Sequence, residues 1–63
     1  MYLLFEVWQE NENGVEELIE TTSSHSTAMK IANKALENND SVVIVYQENE
    51  DGDLDEIARL TKD

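Results

Sequence analysis

A duplicated segment constrains the fold of this chain more than any other feature. The run at 7–14, VWQENENG, returns 38 positions later as VYQENEDG at 45–52. Each copy places an apolar, strand-forming stretch before an acidic turn that ends in Asn-Gly or Asp-Gly, which is the strongest local signal for a β-hairpin. Two such hairpins suit one four-stranded sheet, because a repeat array needs at least three units. If the similarity of the two turns arose by chance, both hairpins would still be predicted.

The segment between the hairpins has helical periodicity. Hydroxyl side chains at 23, 24 and 26 offer N-caps, and apolar residues follow at 28, 31, 32, 35 and 36. We predict a hairpin over 2–22, a helix over 24–38 and a hairpin over 41–61, all in a single domain spanning 1–63. The predicted fold is α+β with the order ββαββ: a four-stranded antiparallel sheet from two duplicated hairpins, with one helix packed on one face.

The last segment fits two structures. Asp53 and Glu56 would form the capping pair of a helix whose apolar side holds positions 54, 57, 58 and 60. The duplication instead makes this segment the return strand of the second hairpin. We favour the strand, because tertiary pairing commonly overrides intrinsic propensity.

Both faces of the predicted sheet are apolar. Side chains alternate along a strand, so positions 3, 5 and 7 oppose 2, 4 and 8, and positions 43 and 45 oppose 42, 44 and 46. One helix covers one face, which makes the other face a candidate homodimer or partner interface, and we predict that the protein is a homodimer. Its predicted members are Tyr2, Leu4, Trp8, Ile44 and Tyr46. Alternatively, the sheet twists around the helix and buries most of this surface within the monomer.

The charge is strongly polarised. Asp and Glu number 15 against 4 Lys and Arg, for a formal net charge of -11, and the four basic residues lie only on the predicted helix and near the C-terminus. Alternate residues of an extended strand lie about 6.6 Å apart, on the scale of successive phosphates in a nucleic acid. The predicted partner-binding acidic surface comprises Glu10, Glu12, Glu16, Glu17, Glu48, Glu50, Asp51, Asp53, Asp55 and Glu56. The same acids would also serve as a solubilising coat that protects turns and edge strands.

Composition excludes several classes of function. The chain has no cysteine and one histidine, which excludes disulfides and a structural zinc site. An anionic surface disfavours nucleic acid and anionic membranes, and the longest apolar stretches, about five residues, are far shorter than the ~20 that span a bilayer. We expect a soluble, cytoplasmic protein.

Neither a cofactor nor a metal is expected, and we predict that the protein is not an enzyme. The second turn differs from a calcium-binding loop, because Gln47 and Ala58 occupy positions where that loop requires acids. His25 lies among serines, without a pattern typical of a catalytic triad.

In length, acidity and lack of catalytic residues, the whole chain resembles small early proteins of bacteriophages, some of which are DNA mimics directed at host targets. The resemblance is one of type, and no family motif matches residue by residue. It implies an inhibitor or regulator in the host cytoplasm whose partner is a basic DNA-binding protein of a bacterium, such as an HU-type nucleoid protein, RNA polymerase or a nuclease. The alternative is a structural or assembly module that uses the apolar sheet face.

Overall fold

The computed structural model describes residues 4–38 and 42–61 and has the predicted ββαββ order. Its elements are β1 (Phe5–Glu10), β2 (Glu16–Thr22), α1 (His25–Asn38), β3 (Val42–Glu48) and β4 (Leu54–Leu60). Four antiparallel strands form one sheet and one helix packs on it, so the α+β prediction is confirmed. The strand interpretation of the last segment is confirmed as well. Tyr2 and Leu3 lie outside the described residues.

The duplication organises the sheet around its centre. The strand order is β2-β1-β3-β4, and Val7 of β1 pairs directly with Val45 of β3, its own counterpart in the duplication. The two hairpins are therefore related by an approximate two-fold axis through this pair. Because the axis is perpendicular to the sheet, the two acidic turns lie at opposite ends of the molecule.

The two turns have the same hydrogen bonds. In the first, the side-chain oxygen of Asn11 accepts the backbone N–H groups of residues 13 and 15 at 2.9 and 3.1 Å, and its carbonyl accepts that of Gly14 at 2.9 Å. Asn49 makes the equivalent bonds in the second turn, at 2.9, 3.0 and 3.0 Å. Each asparagine thus accepts three backbone N–H groups of its own turn, which the strand ladder does not pair. Asparagine and glycine at these positions explain both turns.

The duplication extends to a backbone irregularity. The pairing register shifts between Val7 and Trp8 in the first hairpin and between Val45 and Tyr46 in the second. The extra residues are Ile19 and Ile57, which also correspond in the duplication. A bulge increases local twist. Matched bulges therefore twist the two outer strands in an equivalent way.

Glycine at the two turns is required by backbone conformation alone. Gly14 and Gly52 have φ values of +81° and +85°, and a Cβ at either would meet nothing within 4 Å. We expect Gly52→Ala to lower the free energy of unfolding by about 1–2 kcal/mol, the cost of a left-handed L-residue. Gly52→Asn, which tolerates this region better, should cost less. Urea denaturation measures both, and equal stability of Gly52→Ala and the wild type would contradict the assignment.

The core lies between the helix and the two central strands. Phe5, Val7, Val43 and Val45 are buried beneath Ala28 and Ala32. Two alanines on the buried side let the helix approach the sheet closely. This arrangement identifies which of the two apolar faces the helix covers: the one formed by positions 5, 7, 43 and 45.

The helix begins one residue after the predicted start, at His25, because Ser24 is its N-cap. The Ser24 hydroxyl accepts the Thr27 N–H at 3.3 Å, and its carbonyl accepts the first helical bond, from Ala28, at 2.9 Å. The His25 ring meets the Phe5 ring edge-on at a centroid distance of 5.5 Å. This contact ties the start of the helix to β1.

Candidate functional site

The candidate site is the face of the sheet opposite the helix. Phe5 and Val7 face the helix, so Glu6, Trp8 and Glu10 point away from it. Register extends this surface across the neighbouring strands, since directly paired residues share a face. We call it the helix-free face; its members are Glu16, Leu18 and Thr21 on β2, Glu6, Trp8 and Glu10 on β1, Val42, Ile44, Tyr46 and Glu48 on β3, and Leu54, Glu56 and Arg59 on β4.

The centre of the helix-free face is buried at Ile44. This residue is 0% exposed although the described helix packs on the opposite face, and its cross-strand neighbours are Trp8 and Arg59. Of the other predicted interface residues, Leu4, Trp8 and Tyr46 are half-buried. Ile44 therefore contributes packing within the monomer rather than an accessible contact.

The exposed apolar side chains lie on the outer strands and one turn. Leu18 and Leu54 are 45% and 41% exposed, and Val15, Ile19 and Ile57 are exposed as well. None of these five belongs to the predicted interface, which rests on alternation along the first and third strands alone. The duplication links only two of the five in the sequence, Ile19 and Ile57, which are counterparts.

Two aromatic rings are in contact at the middle of the helix-free face, and each donates a hydrogen bond to a carboxylate. The Trp8 and Tyr46 rings meet edge-to-face at 6.4 Å, with an interplanar angle of 87°. The Trp8 indole Nε1–H donates to Glu6 Oε1 at 2.9 Å, and the Tyr46 hydroxyl donates to Glu16 Oε1 at 2.8 Å. The second bond joins β3 to the edge strand β2. These bonds fix two carboxylates beside the aromatic pair.

An open cleft of about 260 Å³ lies against this pair. Among the described residues, its lining consists of Trp8, Tyr46, Glu16 and Leu54. Glu16 and Leu54 are counterparts in the duplication and lie at opposite corners of the sheet. Since both corners border one cleft, the helix-free face is concave between them. The cleft has a carboxylate at one end and an aliphatic side chain at the other.

The helix-free face carries five carboxylates and one described cation. Glu10 lies directly opposite Glu16 in register, a like-charge pair that is unfavourable across two strands. The cation is Arg59, whose Nη2 lies 2.8 Å from Glu56 Oε1. The hydrogen bond to Glu56 and the charge of that carboxylate raise the pKa of Arg59, and Glu10 adds to the effect. The net charge of this face is therefore negative.

The predicted acidic residues fall into three groups. Glu10, Glu16, Glu48 and Glu56 lie on the helix-free face; Glu12, Glu50, Asp51 and Asp53 lie at the two turns; Glu17 and Asp55 pair with Gln9 and Gln47 and point to the helix side. The Asn49 side chain donates to Asp55 at 3.3 Å. The acids thus follow the length of the molecule rather than forming one patch. Lys30 and Lys34 are exposed on the helix.

The described part of the chain contains neither a metal-binding cluster nor a helix that could span a membrane. Within residues 4–38 and 42–61, no group of three or more His, Asp and Glu side chains is placed to hold a metal ion. In the same ranges, no helix has the length and apolar character needed to cross a membrane. His25 is exposed beside Phe5.

No protein-family model, curated protein or solved structure matches this chain. The support for a function therefore comes from the charge pattern and from the geometry of the helix-free face.

Tyr46 gives the face a measurable pH dependence. Its hydrogen bond to Glu16, together with partial burial and the negative charge of Glu16, raises the pKa of the phenol above the ordinary 10.0. The stabilisation from this bond is complete below pH 10 and is lost as pH rises through the folded-state pKa. We expect Tyr46→Phe to lower the free energy of unfolding at neutral pH by about 0.5–1.5 kcal/mol. This difference should vanish in strongly alkaline solution.

Phenolate absorbance provides the check. The difference between wild-type and Tyr46→Phe titrations isolates Tyr46, and Glu16→Gln should move that titration back toward the ordinary value. An unchanged titration in Glu16→Gln would show that the carboxylate does not hold the phenol in solution.

Proposed function

We propose that this protein is a non-catalytic, acidic binding protein that inhibits or regulates a basic nucleic-acid-binding protein by occupying its nucleic-acid site. The observation that carries the proposal is the absence of lysine, among the described residues, from the helix-free face and both turns. Carboxylates populate the helix-free face and both turns, whereas Lys30 and Lys34 lie on the helix. Arg59 is paired with Glu56. A basic surface can therefore approach the sheet side without meeting an unpaired described cation.

The dimensions of the molecule support mimicry of a nucleic acid. Its principal extents are 35 × 22 × 16 Å. Four strands about 4.8 Å apart span only about 15 Å, so the long axis follows the strands and ends at the two acidic turns. One turn of duplex DNA is about 34 Å long. Acids spread along this axis would meet Lys and Arg side chains that already suit a row of phosphates.

Binding of this kind is governed by electrostatics. Pairing of a carboxylate with Lys or Arg is a charge-assisted hydrogen bond of the kind that phosphate makes. The Debye length is about 8 Å at physiological ionic strength, so contacts on an exposed surface weaken as salt is added. The resemblance to small phage proteins adds a bacterial host partner, such as an HU-type nucleoid protein, RNA polymerase or a nuclease, and the host cytoplasm as the location.

Affinity capture from bacterial lysate tests the proposal. The immobilised protein is washed at low and at high salt, and the bound proteins are identified by mass spectrometry. We expect a DNA-binding protein that salt elutes and that free duplex DNA competes away. A partner retained equally well at high salt, or one that DNA does not displace, would contradict mimicry.

Exposed apolar side chains favour a second candidate, an assembly module. Leu18 and Leu54 would bury their exposed surface in a homodimer formed through the helix-free face. Such a dimer would also bring the carboxylates of two copies together, which opposes association at neutral pH. Sedimentation at high micromolar concentration shows whether burial of the leucines or repulsion between the carboxylates decides the oligomeric state. A 7.2 kDa monomer at neutral pH that dimerises only when its carboxylates are protonated would show that charge prevents the dimer.

A further inference from the structure

We infer that the cleft on the helix-free face receives one arginine side chain of the basic partner. This inference rests on the proposed function and names the contact that the partner makes. The cleft is lined by Trp8, Glu16, Tyr46 and Leu54 and has a volume of about 260 Å³. Ligand pockets for small molecules typically measure about 300–1,000 Å³. The space here suits a single side chain better than a cofactor.

The lining suits both the guanidinium group and the methylene stem of an arginine. The faces of Trp and Tyr rings attract a cation, most strongly Trp, and a flat guanidinium stacks on such a ring. Glu16 already accepts the Tyr46 hydroxyl at 2.8 Å. A carboxylate has about four acceptor positions, so Glu16 retains capacity for a guanidinium. At the opposite end, Leu54 offers an apolar surface to the methylene stem.

The negative charge around this cleft favours a cationic side chain as its occupant. A nucleic acid would bring phosphates toward Glu10 and Glu16, which face each other across β1 and β2. A second copy of the chain would bring the same carboxylates toward one another. An arginine instead compensates this like-charge pair. Lysine supplies the charge but lacks the planar fork, so it gains less from the ring and from Glu16.

Trp8 is the only tryptophan, and its fluorescence therefore reports directly on the cleft. The probe is octa-arginine, titrated into the full chain, with octa-lysine as the charge-matched control. We expect octa-arginine to change Trp8 fluorescence and to bind about threefold to tenfold more tightly than octa-lysine, the scale of one partly desolvated cation–π contact. Equal affinities would overturn the inference.

Matched charge variants locate the contact. Glu16→Gln and Glu12→Gln each remove one negative charge, but Glu12 lies in the first turn and does not line the cleft. We expect Glu16→Gln to weaken octa-arginine binding about threefold to tenfold more than Glu12→Gln does. Equal effects would mean that only the overall charge attracts the peptide, and the inference would fail.

A second pair of variants tests the inference if Glu16→Gln disturbs the fold. Leu54→Lys and Leu18→Lys both add a cation at an exposed leucine, but only Leu54 lines the cleft. Leu54→Lys should reduce octa-arginine binding more than Leu18→Lys, with both variants folded by circular dichroism. Equal reduction would overturn the inference. Capture of a DNA-binding protein that these variants bind equally well would refute the cleft contact and leave the proposed function standing.

Discussion

Reversing seven acids to lysine should abolish partner binding. The set is Glu10, Glu12, Glu48, Glu50, Asp51, Asp53 and Asp55. Each reversal changes the charge by two units, so the formal net charge moves from -11 to +3. A partner that makes several ionic contacts loses all of them at once, and we expect affinity to fall by about a thousandfold or more, as it does when salt screens 6–10 phosphate contacts.

Two double variants, matched in charge and symmetry, test the two parts of this acidic surface separately. Glu10 and Glu48 lie on the helix-free face, whereas Glu12 and Glu50 lie in the turns at the two ends of the molecule. Each pair consists of counterparts in the duplication, so reversal of either pair changes the charge equally and symmetrically. If the partner follows the whole long axis, both double variants should lose affinity. Loss in only one of them would restrict the contact to the face or to the ends.

An assembly function makes the opposite prediction. Trp8→Ala leaves the net charge unchanged, and under that alternative it should be the most damaging substitution, with little effect of salt. Binding titrations of both sets at low and high salt separate the two functions. Salt-insensitive binding by the seven-fold reversed variant would contradict mimicry. Because repulsion among the acids also destabilises the fold at low ionic strength, stability must be measured at each salt concentration.

Ile44→Ala should remove about half of the free energy of unfolding. Ile44 is fully buried on the side of the sheet that the helix does not cover. Removal of a large buried aliphatic group costs about 2–5 kcal/mol, and a domain of this size has a total stability of only about 3–9 kcal/mol. The expected result is therefore a large drop in the urea concentration at the midpoint of unfolding, measured by circular dichroism.

Ile57→Ala is the matched control, because it makes the same chemical change at a side chain that is 38% exposed. We expect a cost below about 1 kcal/mol there, since much of the removed surface is already in water. If Ile44→Ala were as mild as Ile57→Ala, the centre of the helix-free face would be open in solution. The cleft beside Trp8 would then be larger than the structure indicates.

Several features of the site could not be read from sequence, since each depends on which strands become neighbours. The bond from Tyr46 to Glu16 joins residues 30 positions apart and spans β1, which lies between β2 and β3 in the sheet. Ile44 has Trp8 as its cross-strand neighbour because β1 pairs with β3. The division of the acids into a face and two opposite ends follows from the central pairing of β1 with β3. The exposed Leu18 and Leu54 follow from the outer positions of β2 and β4.

The sequence by itself determined the parts of this protein whose causes are local. Asn-Gly and Asp-Gly turns, alternating strands, a serine-capped helix and the 38-residue duplication all act through neighbouring residues, and all are present in the structure. The tertiary structure alone decided the strand order, the pairing of Val7 with Val45 and the concave face with its cleft. The physical reason is that a strand carries hydrogen-bonding groups along both edges, so its local pattern does not specify which neighbour pairs with each edge. That choice follows from burying the largest apolar surface under a single helix.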